Sequence, residues 1–171
     1  MPTRDFKPAA STNDKTSVLE FKRCSPDESW PLPGYGSDWA SGLDLSAAVE
    51  SDITMAPGEI KLIPTGWAVA VPHGYEGQVR PRSGVAFKKG LTIINTPGTV
   101  DSDYRGEIFM AMVNLGAVPQ VIKRGDRLAQ LVIIKVERPR LEVREELSPT
   151  LRGDGAFGST GFGAKITQNR S

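Results

Sequence analysis

The 18 glycines and 13 prolines of this chain are spread along its length, and that spacing constrains the fold more than any other feature. Proline removes a backbone donor and glycine weakens the interior of either regular element, so so frequent an interruption favours many short strands over long helices. An all-β fold is the expectation. With 171 residues, 39% of them hydrophobic, there is enough chain for one domain with a real core.

Taken in order, residues 1–16 are polar and aperiodic and read as a disordered tail. A first strand is expected over 18–23, then an irregular, proline-rich stretch to Ser37. In Leu43-Asp44-Leu45, strand alternation sends Asp44 to the face opposite the two leucines, and from this segment alone Asp44 reads as an exposed strand residue. Separate strands are expected at 59–63 and 67–71, at 76–80, 108–114, 121–122 and 128–136, with a last one at 141–146 closing the fold. His73 lies in a Pro-Gly turn and reads as a surface residue. Gln130 puts an amide into an apolar strand, where it serves either as a cross-strand link or as a ligand contact.

Charge and cysteine content exclude several classes. With 21 basic and 20 acidic residues and no large block of either sign, a non-specific grip on nucleic acid is not suggested. One Cys and one His cannot build a protein-only zinc site of the usual kind, so any metal would be a hard cation held by oxygens. No run approaches the length of a membrane span and the N-terminus lacks a signal-peptide core, so no membrane partner is expected and a cytoplasmic location fits best.

Three stretches carry candidate chemistry. Residues 82–90 suit a short helix with Ser83 as N-cap and Gly90 as stop, and a helix start beside Arg82 is either a small anion site or an ordinary capped turn. Residues 98–108 put a carboxylate, Asp101, with Tyr104 and Arg105 on a hairpin or tight corner between two β-prone runs. Residues 151–163 place five glycines among Arg152, Phe157, Ser159 and Thr160. They lack the strand, the helix and the distant acid of a dinucleotide fingerprint, but such a segment suits a terminal phosphate and a stacked base.

The segments 40–48, 82–86, 98–108, 124–131 and 152–161 stand in the order and approximate spacing of the five motifs of trimeric dUTP diphosphatases (dUTPases), and the chain resembles that family from about residue 18 to 161. The resemblance implies a jelly-roll-like β-barrel with one short helix over residues 17–147. It also implies a flexible glycine-rich arm over 148–171 that closes over the active site, and a homotrimer whose sites are shared between subunits. The implied reaction is cleavage of dUTP to dUMP and pyrophosphate with Mg²⁺, which keeps uracil out of DNA and supplies dUMP for dTMP synthesis.

By the same resemblance Asp101 activates the attacking water and Tyr104 packs on the deoxyribose, excluding a 2′-hydroxyl. The backbone from Asn95 to Pro97 and at Gly98 and Ile108 hydrogen-bonds uracil, and Phe157 covers it. Arg82, Ser83, Gly84 and Gln130, with Arg127 nearby, hold the α- and β-phosphates. Arg152, Ser159 and Thr160 clasp the γ-phosphate, and Asp44 meets Mg²⁺ through water. Ser41, Lys89 and Ala156 depart from the usual pattern, and Ala156 restricts the arm backbone where a second glycine is common. The rival readings are a dCTP deaminase of the same fold and a non-catalytic nucleotide-sensing protein.

Overall fold

The computed structural model describes residues 18–150 and 153–154. Its elements are β1 (Glu20–Arg23), β2 (Gly34–Tyr35), β3 (Leu43–Ser46), β4 (Ile53–Met55), β5 (Ile60–Ala70) and β6 (Tyr75–Pro81). The helix α1 (Ser83–Lys89) follows, and then β7 (Leu91–Ile93), β8 (Gly98–Val100), β9 (Glu107–Asn114), β10 (Gln120–Ile122) and β11 (Arg127–Lys135). The described chain is thus mostly β with one short helix, as its punctuation predicts. Chain contacts divide it into Met1–Glu137, which holds all of these elements, and Arg138–Ser171.

Two antiparallel sheets dominate the first unit, one in the order β1-β5-β9-β7 and the other β2-β3-β11-β6-β8, while β4 and β10 form a separate pair. A single buried cluster draws Ile63, Leu91 and Met110 from the first sheet and Leu45, Leu128 and Leu131 from the second. Burying those faces supplies the main stabilising term. The alternation that predicts β3 is visible in it: Leu43 and Leu45 are buried and Asp44 between them is not.

Several local expectations are corrected. The strands expected at 59–63 and 67–71 are one, β5, whose register against β9 shifts between Pro64 and Ala68. Pro64 and Gly66 break the propensity pattern, but the bulge they form keeps the strand in its sheet. Residues 138–150 contain no strand. The alternation of Leu141 and Val143 buries neither side chain, since a pattern makes a strand only where an unpaired edge and an apolar face receive it.

Asn114 is fully buried at the end of β9. Its Nδ2 donates to the carbonyls of Met55 and Val118, each at 2.9 Å, and its Oδ1 accepts from Gly116 N–H at 2.9 Å. The amide therefore ties the end of β9 to β4 and to the following turn. Asn114→Ala would strand all three groups, and an expected loss of about 3 kcal/mol is to be read from urea unfolding, with Asn114→Asp also destabilising because it removes the donor.

Candidate active site

The stretch 98–108 is a corner, not a hairpin. Its first strand, β8, pairs with β6, whereas β9 pairs with β5 and β7, so the chain crosses from one sheet to the other between Val100 and Glu107. Tyr104 N–H donates to the Asp101 carbonyl at 3.1 Å to close the turn. The Arg105 guanidinium donates to the carbonyls of Ser102 and Tyr104 at 2.8 and 2.7 Å, wrapping the turn from outside. Arg105 is therefore spent on the backbone that presents Asp101, whose own side chain is exposed.

A cleft of about 170 Å³ opens beside this corner. It is lined by Asn95, Gly98, Tyr104 and Ile108, which the sequence singles out together, and by Glu107 and Phe109, to which the sequence assigns no role of their own. Gly98 is buried against Asn95, with a Cβ at that position falling 3.4 Å from the Asn95 amide nitrogen. The Tyr104 hydroxyl donates to the Glu107 carbonyl at 2.9 Å, which pins the ring across Gly106. A Cβ on Gly106 would come within 2.4 Å of the Tyr104 oxygen, so the glycine is the space that the ring occupies.

A second group forms around Asp44. Arg82 Nε meets Asp44 Oδ1 at 3.2 Å and Arg127 meets Oδ2 at 2.9 Å. The reading of Asp44 as an exposed strand residue is therefore overturned, because its side chain is only 17% exposed and lies between two guanidinium groups. Strand register explains the grouping: Asp44 stands opposite Gln130 on β11, and Gln130 stands opposite Arg80 on β6, two residues before Arg82. Gln130 is half-buried, and a Cβ on Gly42 would fall 2.7 Å from its side-chain oxygen, so Gly42 makes room for the amide.

The helix start differs from expectation. Arg82, in extended conformation, is the N-cap and makes no side-chain cap bond, and Ser83 is the first helical residue. The reason is that β6 runs directly into the helix, with the Arg82 carbonyl accepting from Val85 and Ala86 N–H at 3.0 Å each. The first-turn N–H groups of Ser83 and Gly84 thus receive no cap from the Arg82 side chain. Gly84 stands in open space, so packing within the chain does not call for a glycine there. At the other end Gly90 stops the helix at φ 67°, as expected.

The corner cleft and the Asp44 group do not coincide: none of Asp44, Arg82, Ser83, Gly84 or Gln130 lines the cleft of Tyr104. Asp44 and Arg127 instead border a separate cleft of about 230 Å³ with Trp30, Pro33 and Tyr35. Arg152, Phe157, Ser159 and Thr160 lie outside the described residues. Among the described residues no three His, Cys, Asp or Glu side chains gather closely enough to hold a metal ion. No helix among the described residues is long and apolar enough to cross a membrane.

Comparison with known proteins bears directly on this arrangement. The dUTPase family model matches residues 28–161. A deoxyuridine 5'-triphosphate nucleotidohydrolase from Caldanaerobacter subterraneus subsp. tengcongensis is 54% identical over 144 residues, covering 84% of this chain and 97% of that protein. The protein of the same name from Rhizobium etli is 51% identical over 151 residues, covering 87% of this chain and 97% of its own. Among solved structures, the Staphylococcus bacteriophage 80alpha dUTPase with dUPNHPP is similar with a TM-score of 0.76 at 29% identity, covering 85% of this chain and 99% of that chain. A matched family model spanning both the corner and the Arg82 segment, together with relatives near half identity, leaves one assignment: the chain belongs to the dUTPase family.

Proposed function

We propose that the protein hydrolyses dUTP to dUMP and pyrophosphate, and that the observation carrying this reading is the cleft that gathers Asn95, Gly98, Tyr104 and Ile108 beside Asp101. Uracil enters between β8 and β9, where backbone groups of Asn95 to Pro97, Gly98 and Ile108 read its edge. Fixed backbone donors and acceptors reject cytosine, since a mismatch leaves buried polar groups unpaired. The Tyr104 ring covers the deoxyribose face and leaves no room for a 2′-hydroxyl.

Asp101 accepts a proton from a water molecule as that water attacks the α-phosphorus, and the bond to the departing pyrophosphate breaks opposite to it. Arg82, the first-turn N–H groups of Ser83 and Gly84, and Gln130 hold the α- and β-phosphates. The open space at Gly84 supports this role, because a ligand oxygen can approach the backbone there. Asp44 orients Arg82 and Arg127 by their ion pairs. That no three metal-ligating side chains gather among the described residues fits a Mg²⁺ ion that would arrive on the triphosphate, with Asp44 meeting it through water. When bound, Mg²⁺ offsets phosphate charge.

The glycine-rich arm over 148–171 supplies Arg152, Ser159 and Thr160 to the γ-phosphate and Phe157 to the uracil. The separation of the corner cleft from the Arg82 group within one chain supports a homotrimer in which neighbouring subunits complete each site. The outer face of β5 and β9 adds to that reading, with exposed Leu62 opposite Ala111 and exposed Phe109 opposite Pro64. A cytoplasmic enzyme of this kind keeps uracil out of DNA and supplies dUMP.

Pyrophosphate release with dUTP, dTTP, dCTP and UTP, with and without Mg²⁺, tests the proposal. Release confined to dUTP with Mg²⁺ is expected, and no release from dUTP overturns it. Gly106→Ala should raise KM for dUTP by about tenfold while leaving the thermal midpoint near that of the wild type, because the added methyl displaces only the end of the Tyr104 ring.

A further inference from the structure

Thr65 and Asn114 are the buried polar residues of the described core, and the site as read above uses neither. Thr65 lies in the bulge of β5, where regular ladder bonds to β9 are interrupted. Its hydroxyl donates to the Ile108 carbonyl at 2.8 Å and accepts from Trp67 N–H at 3.3 Å. The next residue, Gly66, donates its N–H to Glu107 Oε1 at 2.7 Å. Two successive residues of the bulge thus clasp two successive residues of β9. One bond runs from side chain to backbone and the other from backbone to side chain.

The clasp leads into the cleft. Ile108 and Glu107 both line it, and the Glu107 carbonyl accepts the Tyr104 hydroxyl. The clasp is also anchored from behind. Gly66 has φ 76°, and a Cβ there would fall 2.8 Å from the Trp30 ring. Trp30 Nε1–H donates to the Thr65 carbonyl at 2.8 Å, and the Arg124 guanidinium lies 4.4 Å above the Trp30 ring. Trp30, the bulge and the corner therefore form one continuous support.

We propose that Thr65 and Glu107 are positioning residues that hold the 104–108 end of the corner and thereby set the discrimination against ribonucleotides. This rests on reading the corner cleft as the deoxyuridine subsite. Neither side chain needs to touch a reacting atom: Thr65 acts through the Ile108 backbone, and Glu107 acts through the backbone that receives the Tyr104 hydroxyl. A loosened support lets the Tyr104 ring withdraw and admits the larger sugar. The loss then falls on KM and on selectivity before it falls on the chemical step.

The test compares Thr65→Val and Glu107→Ala with the conservative Thr65→Ser and Glu107→Gln, each of which keeps the hydrogen-bonding oxygen. In the first pair the ratio of kcat/KM for dUTP over UTP should fall by about tenfold, with KM for dUTP raised and kcat within about threefold of wild type. The second pair should retain the wild-type ratio. Amide exchange over residues 101–108, measured without nucleotide, should accelerate in the first pair only. Should Thr65→Val fail to fold, Glu107→Ala at its half-buried position decides the matter. An unchanged ratio overturns the positioning role, even where exchange is faster, and so does unchanged exchange. Wild-type protein inactive on dUTP overturns the reading of the reaction instead, and the exchange measurement then still judges the support itself.

Discussion

Asp101→Asn is expected to lower kcat for dUTP by about a thousandfold with little change in KM or in thermal stability. The amide keeps the shape of the carboxylate but cannot take up the proton that the attacking water must lose. The fold should be indifferent, because Asp101 is exposed and its contribution to the turn is its backbone carbonyl, which accepts from Tyr104 N–H. Single-turnover pyrophosphate release measures the chemical step, and circular dichroism checks the fold. A variant retaining a tenth or more of wild-type kcat would show that another group takes the proton.

Removing residues 148–171 should cost at least about a hundredfold in kcat/KM for dUTP while leaving a folded protein. The physical ground is a division of labour along the chain. Every strand and the helix of the described residues lie within Met1–Glu137, with a continuous apolar core, so this unit has its own source of stability. The removed segment carries Arg152, Ser159, Thr160 and Phe157, to which γ-phosphate and base contacts are assigned. Sedimentation equilibrium and urea unfolding of the truncated protein check the assembly and the fold. Loss of folding would make the segment structural and overturn its role as a closing arm.

Much of the site is legible in the sequence because its residues are local in the chain. Asn95 and Gly98 lie only a few residues before the turn that carries Tyr104, so backbone continuity alone brings these three to one cleft, and Asp101 follows directly on Val100 of its lining. Asp44 is legible in position but not in partnership. Alternation places it away from the core, whereas its bonds to Arg82 and Arg127 follow from β3 and β6 both pairing with β11, a non-local event. Thr65 is not legible for the same reason: Pro-Thr-Gly reads as a break between strands, and its hydroxyl finds Ile108 only once β5 pairs with β9. Glu107 belongs to the stretch that was singled out, but its carboxylate acquires a function only from Gly66 across the bulge.

The helix start illustrates a competition between local rules. Serine is a favoured N-cap, yet strand pairing carries β6 through Pro81 and makes Arg82 the cap. At Leu141 and Val143 the local alternation was sound but found no sheet to join.

What the sequence determined by itself, then, is the short-range chemistry: an all-β chain with one short helix, a turn presenting Asp101 and Tyr104, and a glycine to stop the helix at residue 90. These follow from dihedral limits and from side-chain period, which act over a few residues. The tertiary structure alone decided that 98–108 crosses between sheets, that two arginines converge on Asp44 and that a bulge supports the corner. Such features depend on which strands pair and in which register, a choice made by burying one common core.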